Sequence, residues 1–231
     1  MIGFEFEFFS KNSVEDVKDT LTRSLDKRIR IEEKAHSDFI PTDKTFKLEP
    51  DNYKTLNLEL EKFILEEFNK DNEGLKRSNV NGWHSKPFKF EKGNAAHNFA
   101  MKIESCIFDV FKQYGWPYKG EKVKITEMWS IINKKNSFNE SHIHPNSFLS
   151  SAYYVRAPKN CGNIIFNNPN QISRNRFPLD IKKTEFSANI QKIEPKEGTL
   201  LIFPSYLWHS VEPNTSDEDR IIVSFNVNIA D

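Results

Sequence analysis

The chain has 231 residues, 37% of them hydrophobic and 13% aromatic with twenty Phe, which is enough for a sizeable core and too apolar for intrinsic disorder. Its 33 basic and 33 acidic residues cancel, which argues against electrostatic capture of nucleic acid or an anionic membrane and favours a small-molecule or peptide/protein substrate. Cys106 and Cys161 stand far apart with no CxxC pattern, so neither a disulfide framework nor a zinc ribbon is supported and both read as reduced, cytosolic thiols.

The opening MIGFEFEFFSKN has no cationic head, and acidic residues break its apolar run. It reads as neither signal peptide nor anchor, and no stretch reaches the roughly 20 apolar residues of a transmembrane helix. Ser13 is placed to cap a helix carrying Val14, Val17, Leu21 and Leu25 on one face, with Asp16 three residues after the cap. A second helix is expected over Leu56 to Phe68, where Leu60, Phe63, Ile64 and Phe68 recur at helical spacing. A third is expected from Ala95 to Tyr114, with Phe99, Ile103, Cys106, Ile107, Val110, Phe111 and Tyr114 as its stripe, stopped by Gly115 and Pro117.

After Lys122 the period changes to short apolar runs between turn residues, the pattern of an antiparallel sandwich or barrel. Strands are expected at Val123 to Ile132, His142 to His144, Phe148 to Val155, Asn163 to Phe166, Phe186 to Ile193, Thr199 to Phe203 and Arg220 to Ile229. The last is the most informative, because side chains alternate faces along a strand. Ile221, Val223, Phe225, Val227 and Ile229 share one face, and Arg220, Ile222, Ser224, Asn226 and Asn228 share the other. The class is α+β, mainly β, and one domain spans 1–231, with 1–121 a mainly helical layer and 122–231 the β core.

His142 and His144, two apart in FNESHIHP, converge on one face of an extended segment, and Pro145 bends the chain at its rim. A bare HxH says little, but a third histidine, His209, closes GTLLIFPSYLWHSVEPN, and Arg220 follows eleven residues later. These residues, with NGWHS (Asn81 to Ser85), LSSAYYV, GNIIFNNP and RIIVSFN, make the chain from about Ser78 onward resemble the non-haem Fe(II), 2-oxoglutarate-dependent dioxygenases. The resemblance is narrowest to an HxHP branch found in marine bacteria and their viruses.

The resemblance implies a double-stranded β-helix, a jelly-roll or cupin-like core with the N-terminal helices packed on one sheet. It implies iron held by His142, His144 and His209, three ligands on one face of an octahedron that leaves room for 2-oxoglutarate and O2. Arg220 occupies the position that meets the far carboxylate of 2-oxoglutarate, through the parallel hydrogen bonds a guanidinium offers. Ser224 and Asn226 share its face, and one of Tyr153 and Tyr154 is expected to contact the cosubstrate.

Most of the wider family has Asp or Glu where His144 stands, so Glu140 is a reserve ligand. Arg220 has an alternative as a surface ion pair with Asp217 or Glu218. Trp129, Asn133 and Trp208 are candidate pocket residues, although core packing suits the tryptophans better. Trp83 and His84 are candidates for a wall or lid, Asn167 to Phe177 with Arg174 and Arg176 for a covering loop, and His36 and His97 for ordinary histidines. The expected activity is hydroxylation of an unactivated C–H bond of a peptidyl or free amino-acid substrate, with release of succinate and CO2. The expected setting is the cytoplasm, or a host's cytoplasm for a viral chain, and a homodimer stays open. The rival readings are a three-histidine cupin-type oxygenase that uses no 2-oxoglutarate and a jelly-roll binding protein without catalysis.

Overall fold

A computed structural model describes residues 29–30, 44–48, 50–116, 122–169 and 190–230. The helix expected from Ser13, His36, Arg174, Arg176 and the first residues of the strand expected from Phe186 lie outside these.

Among the described residues, two helices form where the apolar spacing places them. Helix α1 (Pro50–Lys70) begins on a proline, whose fixed φ suits the first helical position, and buries Leu56, Leu60 and Ile64 along one face. Helix α2 (Ala95–Gln113) is capped by Asn94, whose side chain accepts a hydrogen bond from the His97 amide at 2.8 Å. It ends where Gly115 takes a φ of 63° that favours glycine. Its buried stripe of Phe99, Ile103, Cys106, Ile107, Val110 and Phe111 packs with α1 on one sheet.

Among the described residues, twelve strands make two antiparallel sheets. Four short strands come from the N-terminal half: β1 (Ile29–Arg30), β2 (Lys44–Leu48), β3 (Asn79–Val80) and β4 (Trp83–His84). The other eight are β5 (Val123–Asn133), β6 (Phe138–His142), β7 (Leu149–Arg156), β8 (Ile164–Asn167), β9 (Ile190–Ile193), β10 (Thr199–Pro204), β11 (His209–Val211) and β12 (Arg220–Ile229). The larger sheet runs β1-β2-β10-β7-β12-β5-β4 and the smaller β3-β6-β11-β8-β9. Four strands of the β5–β12 set fall in each sheet, in the double-stranded β-helix arrangement of a jelly roll.

The mainly helical first half also contributes strands, β1, β2 and β4 to the larger sheet and β3 to the smaller. Strands of two residues are too short to show alternation, and their pairing is set by distant partners. The strand expected at His142 to His144 is instead Phe138–His142, and His144 lies in the extended exit beyond it. There Pro145 cannot donate to a ladder, and Asn146 turns the chain with a φ of 62°.

The larger sheet buries both faces. Ile221, Val223, Phe225 and Val227 of β12 meet the helices, together with Val123, Ile125, Leu149, Leu200 and Ile202. Ile222 faces the smaller sheet with Trp129, Ile131, Tyr154, Leu201 and Phe203. Burying each such aliphatic side chain contributes about 1.5–3 kcal/mol. The alternation along β12 thus places its greasy side under the helices and turns Arg220, Ser224 and Asn226 toward the space between the sheets.

Candidate active site

That space opens into a cavity of about 470 Å³, lined among others by His142, His144, His209, Arg220, Ser224 and Asn226. Three separate backbone devices bring the histidines together. His142 ends β6 and pairs across the ladder with His209, the first residue of β11. His144 is held by its amide, which donates to the Ser205 carbonyl at 2.9 Å. Ser205 in turn donates from its own amide to Phe148 at 3.1 Å, and its hydroxyl bonds the Ser147 carbonyl. The FPS corner thereby locks the turn that follows the HxH pair.

The ring nitrogens of the three histidines that are free to ligate all lie within 4.8 Å of one another. His209 Nδ1 donates to the Leu207 carbonyl at 2.9 Å and His142 Nδ1 to the Glu140 carbonyl at 2.7 Å, which leaves each Nε2 as a lone-pair donor. His144 Nε2 stands 3.3 Å from His209 Nε2. Burial pushes all three pKa values down, with neighbouring imidazoles adding to the fall at His144 and His209, and His144 lies at about 4. Three converging neutral imidazoles, two of them with Nδ1–H anchored on carbonyls and Nε2 left to ligate, are a donor set that fits a divalent transition metal. Glu140 contributes its carbonyl rather than its carboxylate, which is exposed and outside the cluster.

Arg220 is 1% exposed and forms no ion pair among the described residues. Its Nη1 donates to the carbonyls of Cys161 at 2.5 Å and Gly162 at 3.1 Å, and burial lowers its pKa. Neither Asp217 nor Glu218 pairs with it, and Asp217 pairs with Lys135 at 2.5 Å instead. Asn214 shapes the preceding loop, with Nδ2 donating to the carbonyls of Asn133 and Glu218 at 2.9 Å each. A buried cation held only by carbonyls has unmet capacity for an anion.

The two tyrosines part company. Tyr154 lines the cavity, and the nearby Arg220 cation opposes the upward push that burial gives its phenol. Tyr153, a candidate cosubstrate contact by sequence, does not: alternation turns it under the helices, where its hydroxyl donates to Asn57 Oδ1 at 2.7 Å. Ser224 and Asn226 line the cavity, and Asn226 Oδ1 accepts from the Ser150 hydroxyl at 2.8 Å.

Trp129 and His84 line the cavity, with rings stacked at 5.6 Å and 9°. Trp83 packs into the core, its Nε1 donating to the Asp71 carbonyl at 2.7 Å. Trp208 is exposed, Asn133 is buried beside Asn139, and neither lines the cavity, nor does His97 on α2. Sequence reasoning missed Arg77, Ser78, Glu127 and Asn139, which also line it; the Ser78 hydroxyl lies 3.4 Å from His142 Nε2. The only signal for them was their closeness to the NGWHS block and to Trp129.

Residues 127–226 match the model of a family described as "Putative 2OG-Fe(II) oxygenase". No curated protein matches the chain. Among solved structures, a prolyl-4-hydroxylase from Pseudomonas putida is similar with a TM-score of 0.56 at 12% identity, over 92% of this chain and 99% of that one. AviO1 from Streptomyces viridochromogenes Tue57 gives 0.55 at 13% identity, over 87% and 96%. HygX from Streptomyces hygroscopicus, with nickel, 2-oxoglutarate and hygromycin B bound, gives 0.52 at 10% identity, over 81% and 82%. At such identities these likenesses establish the double-stranded β-helix fold. The matched segment carries all three histidines and Arg220, and together with the histidine cluster it supports an oxidoreductase of the iron- and 2-oxoglutarate-dependent oxygenase kind.

Proposed function

We propose that this oxygenase hydroxylates an unactivated C–H bond of a peptidyl or free amino-acid substrate, consuming O2 and 2-oxoglutarate and yielding the alcohol, succinate and CO2. In this reading His142, His144 and His209 hold the iron. Arg220 pairs with the far carboxylate of 2-oxoglutarate, and Tyr154, Ser224 and Asn226 line its berth. The observation that carries it is the presence in one cavity of a converging three-histidine cluster and a buried arginine without a carboxylate partner.

Bound there, Fe(II) supplies the O2 reactivity that side chains lack. The protein residues position and exclude. Three neutral imidazoles leave the metal's charge uncompensated, which favours a dianionic cosubstrate over a neutral one. Arg220 fixes the orientation of that cosubstrate, because its own position is set by the Cys161 and Gly162 carbonyls. Ile131, Ile222 and Phe203 make the adjoining wall apolar and keep water from it. The cavity lies in the volume range of small-molecule sites.

The test is to incubate the iron-loaded protein with 2-oxoglutarate, O2 and candidate amino acids and peptides, and to quantify succinate against hydroxylated product. One succinate per hydroxylated product, lost in Arg220→Met, is the expected result. The replacement of the usual carboxylate ligand by His144 favours one rival, an oxygenase independent of 2-oxoglutarate. Product formed without 2-oxoglutarate and at full rate in Arg220→Met would select that rival.

A further inference from the structure

The cavity rim carries two charges that no described group neutralises. Arg77 and Glu127 both line the cavity with exposed side chains, and neither forms an ion pair among the described residues. Nearby, Lys86 and Asp71 are paired with each other at 2.7 Å. The Arg77 cation is close enough to His84 to help hold that imidazole neutral. From His84 a ladder of rings leads inward: His84 stacks on Trp129 at 5.6 Å, and Trp129 leans against His144 at 5.6 Å and 32°.

Trp129 is 7% exposed, and its Nε1 is buried with no hydrogen-bond partner. Glu127 lies two residues before Trp129 on the same face of β5 and is in register with Asn226 of β12. One stretch of wall between rim and histidine cluster therefore presents a free cation and a free carboxylate beside the Trp129 ring.

We propose, resting on the hydroxylase reading above, that the substrate is a free α-amino acid rather than an internal residue of a polypeptide. Its carboxylate meets Arg77, and its ammonium meets Glu127. Both charged ends are then held at the rim while the side chain points inward past Trp129 toward the histidines. An internal peptide residue has neither charge and would leave both groups unpaired, which is how a site rejects the wrong ligand.

The experiment compares the twenty free L-amino acids with their amides and with their N-acetyl, C-amide forms. The readouts are substrate-dependent succinate formation by the iron-loaded wild type and, independently, the rise in Tm that each compound gives. At least one free amino acid is expected to be turned over with kcat/KM about tenfold or more above its amide. In Arg77→Gln that preference should collapse while the titration of the iron site by 2-oxoglutarate stays unchanged; in Glu127→Gln the N-acetyl penalty should collapse in the same way. Blocked compounds turned over as well as free ones would overturn the proposal, as would a wild type that binds 2-oxoglutarate but responds to no free amino acid. So would an Arg77→Gln variant with weakened 2-oxoglutarate binding, because Arg77 would then serve the cosubstrate. Absence of 2-oxoglutarate binding in the wild type would instead sink the parent reading.

Discussion

His144 Nε2 and His209 Nε2 face each other at 3.3 Å, although His209 has its Nδ1 proton committed to a carbonyl. Two lone pairs at that distance repel unless a cation or a shared proton lies between them. The cluster is therefore poised for a metal, and metal binding is folding free energy. A divalent ion at a hundred times its Kd should stabilise the protein by about 2.7 kcal/mol. His209→Ala should abolish the rise in Tm with Mn(II) or Fe(II). His144→Asp should keep it, since a carboxylate at that position still completes the ligand set. Metal-dependent stabilisation surviving in His209→Ala would mean the ion binds elsewhere.

Gly162 has a φ of 88°, and a Cβ there would run into the Glu212 and Pro213 carbonyls. Its own carbonyl and that of Cys161 hold Arg220. Gly162→Ala should cost about 1–3 kcal/mol of stability through backbone strain. It should also raise the Kd for 2-oxoglutarate, because the guanidinium loses its anchor. Stability and cosubstrate affinity measured together test this; a variant with lowered stability and unchanged affinity would disconnect the turn from the site.

Tyr153 and Tyr154 offer a contrast within one strand. Tyr153 bonds Asn57, and Asn57 Nδ2 donates to the Val155 carbonyl at 2.7 Å, so this pair ties α1 to β7. Tyr153→Phe should lower stability by about 1–2 kcal/mol and leave 2-oxoglutarate binding alone. Tyr154→Phe should weaken that binding several-fold. Denaturant titration and cosubstrate titration of both variants give the two readouts, and an effect of Tyr153→Phe on affinity alone would contradict the assignment.

Much of this architecture was legible because it is local. Ten residues of β12 alternate cleanly, and both faces do what the alternation says, since each side of the larger sheet is covered by something different. The stripe of α2 and its glycine stop are equally local. Long-range register was not legible. His142 opposite His209, and Ser78 beside His142, are set by pairings across more than 60 residues that leave no period in the sequence. The alternation rule could state that Tyr153 and Tyr154 face opposite ways, but not which faces in, because both sides of β7 are buried. Arg77 and Glu127 were missed for a different reason: isolated rim charges look like any solvated surface.

The histidines also set the acid limit of the metal-free protein. Their folded pKa values lie below the ordinary value near 6.5, chiefly through burial. The unfolded chain therefore takes up protons first, and stability rises with pH over this range. It should be complete above about pH 6.5 and fall on acidification toward His144's folded value of about 4. In thermal melts without metal, His144→Phe should show a shallower loss between pH 6.5 and 4. An equal slope in both proteins would show that other groups govern the loss.

The most direct test of the central claim is anaerobic titration of the Fe(II)-loaded protein with 2-oxoglutarate, followed by the visible charge-transfer absorption of the iron chelate. Arg220→Met is the decisive comparison. Removing a desolvated cation offsets the loss of its hydrogen bonds, so its metal-free stability should shift by less than about 2 kcal/mol. The account predicts a saturable band in the wild type, no band in His209→Ala, and a Kd at least about a hundredfold higher in folded Arg220→Met. A wild type that holds iron without developing the band, or an Arg220→Met variant that titrates like it, would contradict the account.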